Sequence, residues 1–183
     1  MSKFDFAISS SSDADAFIKE QQKYKNLKRD DLPKLAESGI VGAVTAWIEC
    51  GFREDWSDMN DKLNALPTPC LNIYCANIVQ NQIVSGGFSE AVFNLSNDFL
   101  GIASTCFKVI GYEKISQIID SAVGKAVGKK PSGRTFEDFL EFCESTDFGD
   151  CDRDFKRCYE KSKFDKLAKE YIISYAKYFG EDT

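Results

Sequence analysis

The stretch FLGIASTCFKVIGYEKISQIIDSAVGKAV, residues 99–127, decides the fold class of this chain. On both sides of Gly111, apolar residues recur at the three- and four-residue spacing of an amphipathic helix. These residues are Leu100, Ala103, Phe107 and Ile110 before the glycine, and Ile115, Ile118, Ile119 and Ala122 after it. A glycine readily takes the left-handed backbone conformation that ends a helix. The pattern therefore predicts an αα-hairpin hinged at Gly111.

Similar helical patterns cover most of the chain outside this hairpin. They span about residues 13–28, 35–51, 55–66 and 67–85 before it, and 136–143, 152–161 and 164–179 after the loop at 128–133. No segment shows the strict alternation of a half-buried strand. We expect an all-α, single-domain orthogonal bundle of about 8–10 helices. Residues 1–65 are expected to add N-terminal helices to the same core as residues 66–183.

Composition excludes much catalytic chemistry. The 183 residues contain no histidine, so a Ser-His-Asp triad, a Cys-His pair and a His-ligated metal are all excluded. The seven cysteines are odd in number and form no C-x-x-C motif, which favours reduced thiols packed in the core of a cytoplasmic protein. The longest apolar stretch is far shorter than the ~20 residues of a membrane span. We expect no enzyme, no cofactor, no metal site and no membrane contact.

The negative charge is concentrated in one part of the chain. Residues 135–160 hold nine acids and three bases, and this excess equals the net charge of −6, because the rest of the chain is balanced. Within this part, Glu137, Glu141 and Glu144 follow the i, i+4, i+7 spacing of one helical face. Like charges at this spacing repel by a few tenths of a kcal/mol each, so helix stability alone does not favour the row. Two interpretations stay open: an ordinary solvated helix face, or a carboxylate array for a basic partner.

The second interpretation gives a set of candidate contact residues. The candidates are Glu137, Glu141, Glu144, Asp147, Asp150 and Asp154, followed by Glu54, Asp58 and Asp61, which repeat the same spacing.

A Gly-Gly motif lies between two of the predicted helices. We expect Gly86-Gly87 to stop a helix with at least one positive φ, and Phe88 to pack inward as the chain turns. Asn94 is expected to cap or bond loop backbone, as short amides do at turns. A ligand pocket around Gln82, Ser85, Glu90 and Asn94 is the alternative reading.

These residues resemble a bacterial DNA-mimic protein family over about residues 66–179. The family pattern runs roughly E-x-x-N-G-G-F-x-Q-x-x-x-N, then an A-x-x-x-L-x-x-I-G-A hairpin, an F-x-x-x-Y segment and a final Y-I helix. It is matched here at Gly86, Gly87, Phe88, Asn94, Ile110, Gly111, Phe155, Tyr159, Tyr171 and Ile172. Gln82, Ser85 and Glu90 stand where the family prefers Glu, Asn and Gln.

The resemblance implies an all-helical homodimer without catalytic activity. The best-understood relative imitates duplex DNA with surface carboxylates and occupies the DNA-binding face of a transcription factor. For this chain, the implied partner is a basic protein surface, such as a transcription factor or another DNA-binding protein, with no direct contact to nucleic acid. The alternative is an immunity- or antitoxin-like protein, or a small-ligand sensor, that uses the Gly86-Gly87 turn.

Overall fold

The fold is all-helical, as predicted. A computed structural model describes residues 19, 22–52, 63–129, 131 and 133–182, and these residues form seven α-helices and two short 3-10 helices with no strand. The α-helices are α1 (Glu37–Phe52), α2 (Thr68–Leu95), α3 (Asn97–Ile110), α4 (Glu113–Ala126), α5 (Phe136–Ser145), α6 (Gly149–Cys158) and α7 (Lys161–Ser174). The 3-10 helices are Arg29–Lys34 and Ala176–Tyr178. In this part of the chain, no helix is both long and apolar enough to span a bilayer.

The predicted hairpin is formed by α3 and α4. Gly111 ends α3 in the left-handed conformation (φ 96°), which confirms the predicted hinge. Small buried residues let the two helices approach closely: the Ser104 hydroxyl donates to the Ser116 carbonyl at 3.1 Å, and the two hydroxyl oxygens lie 3.0 Å apart. Each of these two buried hydroxyls therefore has a hydrogen-bond partner across the hairpin.

One hydrophobic core joins all of the helices. It extends from Leu27 to Phe179 and is rich in aromatic rings. The α2 helix packs on α3, α4 packs on α6, and α7 packs on α1. Phe155 and Tyr159 stack with ring centroids 4.8 Å apart, and Phe88 meets Phe155 edge-on at 5.9 Å. Such ring pairs add about 0.5–1.5 kcal/mol each beyond the area they bury.

The α2 helix is broken at Gly87, which has φ 75° and ψ −173°. This confirms the expected helix stop with a positive φ, and a second helical segment begins directly after the break and continues to Leu95. Phe88 is fully buried, as predicted. Its N–H follows the break directly and donates to the Asp152 carboxylate of α6 at 2.8 Å. A tertiary hydrogen bond therefore holds the kink.

The described N-terminal part is tied to the C-terminal part by a short parallel bridge between Lys28 and Glu181. The Arg29 N–H donates to the Glu181 carbonyl at 3.1 Å, and the Glu181 N–H donates to the Leu27 carbonyl at 2.8 Å. Gly180, with φ 74°, brings the chain to this bridge.

We expect Gly180→Ala to lower the free energy of unfolding by about 1–3 kcal/mol. A Cβ at this position would lie 2.9 Å from both the Arg29 nitrogen and the Leu27 carbonyl oxygen, which are backbone atoms that cannot turn away. Urea unfolding followed by circular dichroism measures the loss. Gly128→Ala is the matched control, because Gly128 has the same φ of 74° but no neighbour within 4 Å of the added carbon. Equal losses in the two variants would contradict a steric role for the bridge.

Candidate functional site

The α5 helix carries the first three predicted contact residues, and both of its ends are closed by hydrogen bonds. The Thr135 hydroxyl accepts the Asp138 N–H at 3.2 Å, and the Asp138 carboxylate accepts the Thr135 N–H at 2.8 Å, which makes a capping box. At the other end, the Lys129 ammonium donates to the Ser145 carbonyl at 2.8 Å. The position of the helix is thus set by specific contacts at both termini.

The inner side of α5 packs on α2 through aromatic rings. The Phe93 ring of α2 lies 5.2 Å from the Phe139 ring and 6.5 Å from the Phe142 ring. Because these rings fix the rotation of α5, its opposite side faces solvent. Glu137, Glu141 and Glu144 lie there, all exposed. We name these three residues the acidic row.

No base lies within α5, and two described bases near it contact other groups. The Arg134 guanidinium lies over the Phe93 ring, 5.5 Å from its centroid. The Lys125 ammonium donates to the Asp147 carbonyl at 3.1 Å. Among the described residues, no cation lies within ion-pair distance of Glu137 or Glu144. These two carboxylates of the acidic row are therefore exposed and not neutralised by a neighbour in the described part of the chain.

The candidate contact residues on α6, unlike Glu137 and Glu144, form ion pairs with described bases. Asp150 pairs with Arg153, and Asp154 pairs with Arg157 at 2.9 Å, each three residues along the same helix. The Lys125 ammonium also lies 3.8 Å from Asp150. Exposed pairs of this kind are worth about 0–1 kcal/mol, but they cancel much of the local charge.

Asp147 lies in the turn between α5 and α6. Its carboxylate accepts the Gly149 N–H at 2.8 Å and so holds the start of α6. The structure therefore separates the six described candidates into an acidic row on α5, a turn residue and a paired group on α6. Glu54, Asp58 and Asp61 lie outside the described residues.

The Gly-Gly region is filled by its own side chains. The Asn94 amide donates to the side-chain oxygens of Gln82 at 2.9 Å and Glu90 at 3.5 Å. Asn94 was expected to cap or bond loop backbone, but its amide bonds these two side chains, because the break at Gly87 brings Gln82 back beside it. The Glu90 carboxylate covers Gly86, where a Cβ would lie 1.5 Å from it. Ser85 is exposed and outside this cluster. The geometry describes a self-satisfied structural motif, and the ligand-pocket alternative stays a prediction.

Asp152 is a structural residue that was not singled out from the sequence. It was counted among nine acids, yet it holds the α2 kink from 64 residues away through the Phe88 N–H. No local spacing distinguishes it from Asp150 or Asp154. Only the packing of α6 near α2 reveals the role.

The described residues hold no metal-binding cluster and no disulfide. They contain no group of three or more Cys, Asp or Glu that could hold a metal ion. None of the seven cysteines forms a disulfide. Burial raises the pKa of the Cys70 thiol to about 12, and this thiol donates to the Tyr178 carbonyl at 3.0 Å. A thiol with such a pKa is neutral at physiological pH and is not an activated nucleophile.

Comparison with known proteins assigns the chain to a family. No curated protein and no solved structure matches it closely enough to show a relationship. The family model of the DMP19-like protein matches residues 64–175, which is more than half of the chain and includes the Gly-Gly kink, the α3–α4 hairpin, α5 and α6. This match confirms the resemblance to a family of DNA-mimic proteins. The chain belongs to the DMP19-like protein family.

Proposed function

We propose that this protein is a non-enzymatic binding protein that presents the acidic row of α5 to a basic surface on a DNA-binding protein. The observation that carries the proposal is the exposure of Glu137 and Glu144 on a helix that holds four acids and no base. Membership of the DMP19-like family supports the same function, because this family consists of DNA-mimic proteins.

The spacing of the row suits this role. Carboxylates one helical turn apart have Cβ atoms about 5–6 Å from each other. Successive phosphates on one DNA strand lie roughly 7 Å apart, given a ~3.4 Å rise per base and the helical twist. Flexible glutamate side chains span the difference. A partner that binds phosphates with rows of Lys and Arg can therefore bind the acidic row with the same side chains.

The ion pairs on α6 reduce the number of candidate residues that are proposed as primary contacts. The bases on α6 lower the attraction that Asp150 and Asp154 offer to a basic partner, whereas Glu137 and Glu144 have no cation within ion-pair distance among the described residues. The proposed primary contacts are thus the three glutamates of the acidic row, with the α6 aspartates at the edge. The partner is proposed to be a transcription factor or another DNA-binding protein in the cytoplasm.

We expect Glu137→Gln with Glu144→Gln to slow association with the partner several-fold at low salt and to have little effect near 0.5 M NaCl, because the row acts mainly through electrostatic attraction. Proteins retained by the wild-type chain from a cell lysate are first identified. Their competition with a labelled DNA duplex is then measured by fluorescence anisotropy at both salt concentrations.

The matched control removes the same charge elsewhere. Glu113→Gln with Glu170→Gln changes two exposed glutamates on α4 and α7. If the partner list and the salt dependence were the same for both double variants and the wild type, the proposed function would be refuted.

A further inference from the structure

The exposed side of α5 is not only acidic. Phe136 and Leu140 are 69% and 47% exposed, although both are large and apolar. At about 100° per residue, the exposed side chains follow one another around the helix in a fixed order. That order is Phe136, Leu140, Glu144, Glu137 and Glu141. An apolar pair therefore runs directly beside the acidic row.

Among the described residues, neither member of this pair belongs to the hydrophobic core or packs against it. The core contacts of α5 are made by Phe139 and Phe142, on the other side of the helix. An exposed apolar pair one turn apart, bordered by charge, is typical of a surface that binds another protein. Carboxylates that only imitate phosphates do not require a phenylalanine beside them.

We propose that the α5 surface binds a basic amphipathic helix, whose apolar residues cover Phe136 and Leu140 while its Lys or Arg side chains meet the acidic row. This inference rests on the proposed function and extends it to the shape of the partner. Helices dock through apolar residues at i, i+3, i+4 and i+7, and flanking charges of opposite sign set their orientation. Lys and Arg suit the border, because their aliphatic stems cover apolar surface while their heads reach the carboxylates.

Charge complementarity separates this occupant from a second copy of the chain. In a two-fold symmetric contact, the same patch lies on both sides of the interface. Because α5 has four acids and no base, two such patches would bring like charges together in a desolvated contact. A basic helix meets the same surface with attraction.

The test uses a defined probe: a fluorescein-labelled helical peptide with a leucine stripe flanked by lysines. Two comparison peptides replace the leucines by serine or the lysines by glutamine. Anisotropy titrations at 50 and 500 mM NaCl compare the wild type with Phe136→Ser/Leu140→Ser and Glu137→Gln/Glu144→Gln. Ile102→Ser/Val109→Ser is the control, since these α3 residues are 48% and 50% exposed. Circular dichroism checks that each variant is folded.

We expect the wild type to prefer the first peptide over both comparison peptides. Phe136→Ser/Leu140→Ser should weaken binding about tenfold at both salt concentrations, because an apolar contact is not screened. The glutamine variant should weaken it only at low salt, and the α3 control should leave it unchanged.

Other results separate the two proposals. If the serine variant binds as well as the wild type while the glutamine variant does not, the apolar contact is refuted and the proposed function stands. Absence of wild-type binding also refutes the inference. If sedimentation shows that the wild type is a dimer and the serine variant is a monomer, the α5 surface is a contact between two copies of this chain. The inference is then wrong.

Discussion

Gly87→Ala is expected to lower the free energy of unfolding by about 3–5 kcal/mol, the largest effect of any glycine substitution in the described part of the chain. The backbone at φ 75° and ψ −173° lies in a region that is essentially restricted to glycine, which costs other residues about 1–3 kcal/mol. The added Cβ would also lie 2.9 Å from the Asp152 carboxylate. Moving that carboxylate leaves the N–H of the buried Phe88 without its acceptor, at a further cost of about 1–3 kcal/mol.

Urea unfolding of four proteins separates these contributions: the wild type, Gly87→Ala, Asp152→Ala and the double variant. Asp152→Ala alone should cost about 1–3 kcal/mol through the Phe88 N–H. In the double variant the losses should be less than additive, because without the carboxylate the new Cβ has nothing to displace. Strict additivity would show that Asp152 does not hold the kink. Gly128→Ala reports the cost of a positive φ in open space.

The second large effect is a steep loss of stability at alkaline pH. Burial raises the pKa of Cys70 to about 12 and raises the pKa values of Tyr74 and Tyr159 well above the usual tyrosine range. In the unfolded chain these groups release their protons near pH 9 and 10, whereas the folded protein keeps them. Their contribution to the free energy of unfolding is complete below these unfolded-state pKa values. It is lost as the pH rises above them.

Each such group lowers the free energy of unfolding by about 1.4 kcal/mol per pH unit. The three groups together therefore lower it by about 4 kcal/mol per pH unit above pH 10. A domain with a stability of about 5–15 kcal/mol should then unfold within two or three pH units. Urea midpoints at pH 8, 9, 10 and 11 measure the decline. Tyr74→Phe should make the slope shallower by about 1.4 kcal/mol per pH unit, and the exposed Tyr178→Phe is the control. An unchanged slope in Tyr74→Phe would contradict the assignment.

Much of the fold could be predicted from helical periodicity. The α3–α4 hairpin was recognisable because apolar spacing and Gly111 agree over a long segment, and such local agreement survives folding. The break in α2 was harder to read. A Gly-Gly pair predicts a helix end, and the helix does break there, but the hydrogen bond from the Phe88 N–H to Asp152 of α6 could not be predicted. That contact depends on tertiary packing and has no local signature.

The candidate site shows the same limit. The acidic row could be predicted because i, i+4, i+7 spacing places side chains on one face wherever a helix forms. The pairing of Asp150 and Asp154 was not predicted, although Arg153 and Arg157 follow them at i+3. The buried side of α5 could not be predicted from the sequence, because Phe136, Phe139, Leu140 and Phe142 could all have faced the core. The Phe93 ring selects Phe139 and Phe142 and leaves the other two outside.

The hydrogen bonds that close both ends of α5 have a consequence for binding thermodynamics. A short helix that is already formed in the free protein loses little backbone entropy when a partner arrives, so that most of the interaction energy appears as affinity. Calorimetry should then give a modest heat-capacity change, of the size expected for rigid surfaces and not for coupled folding. Thr135 and Lys129, which lie outside the acidic row, would thus contribute to recognition by preorganising the glutamates.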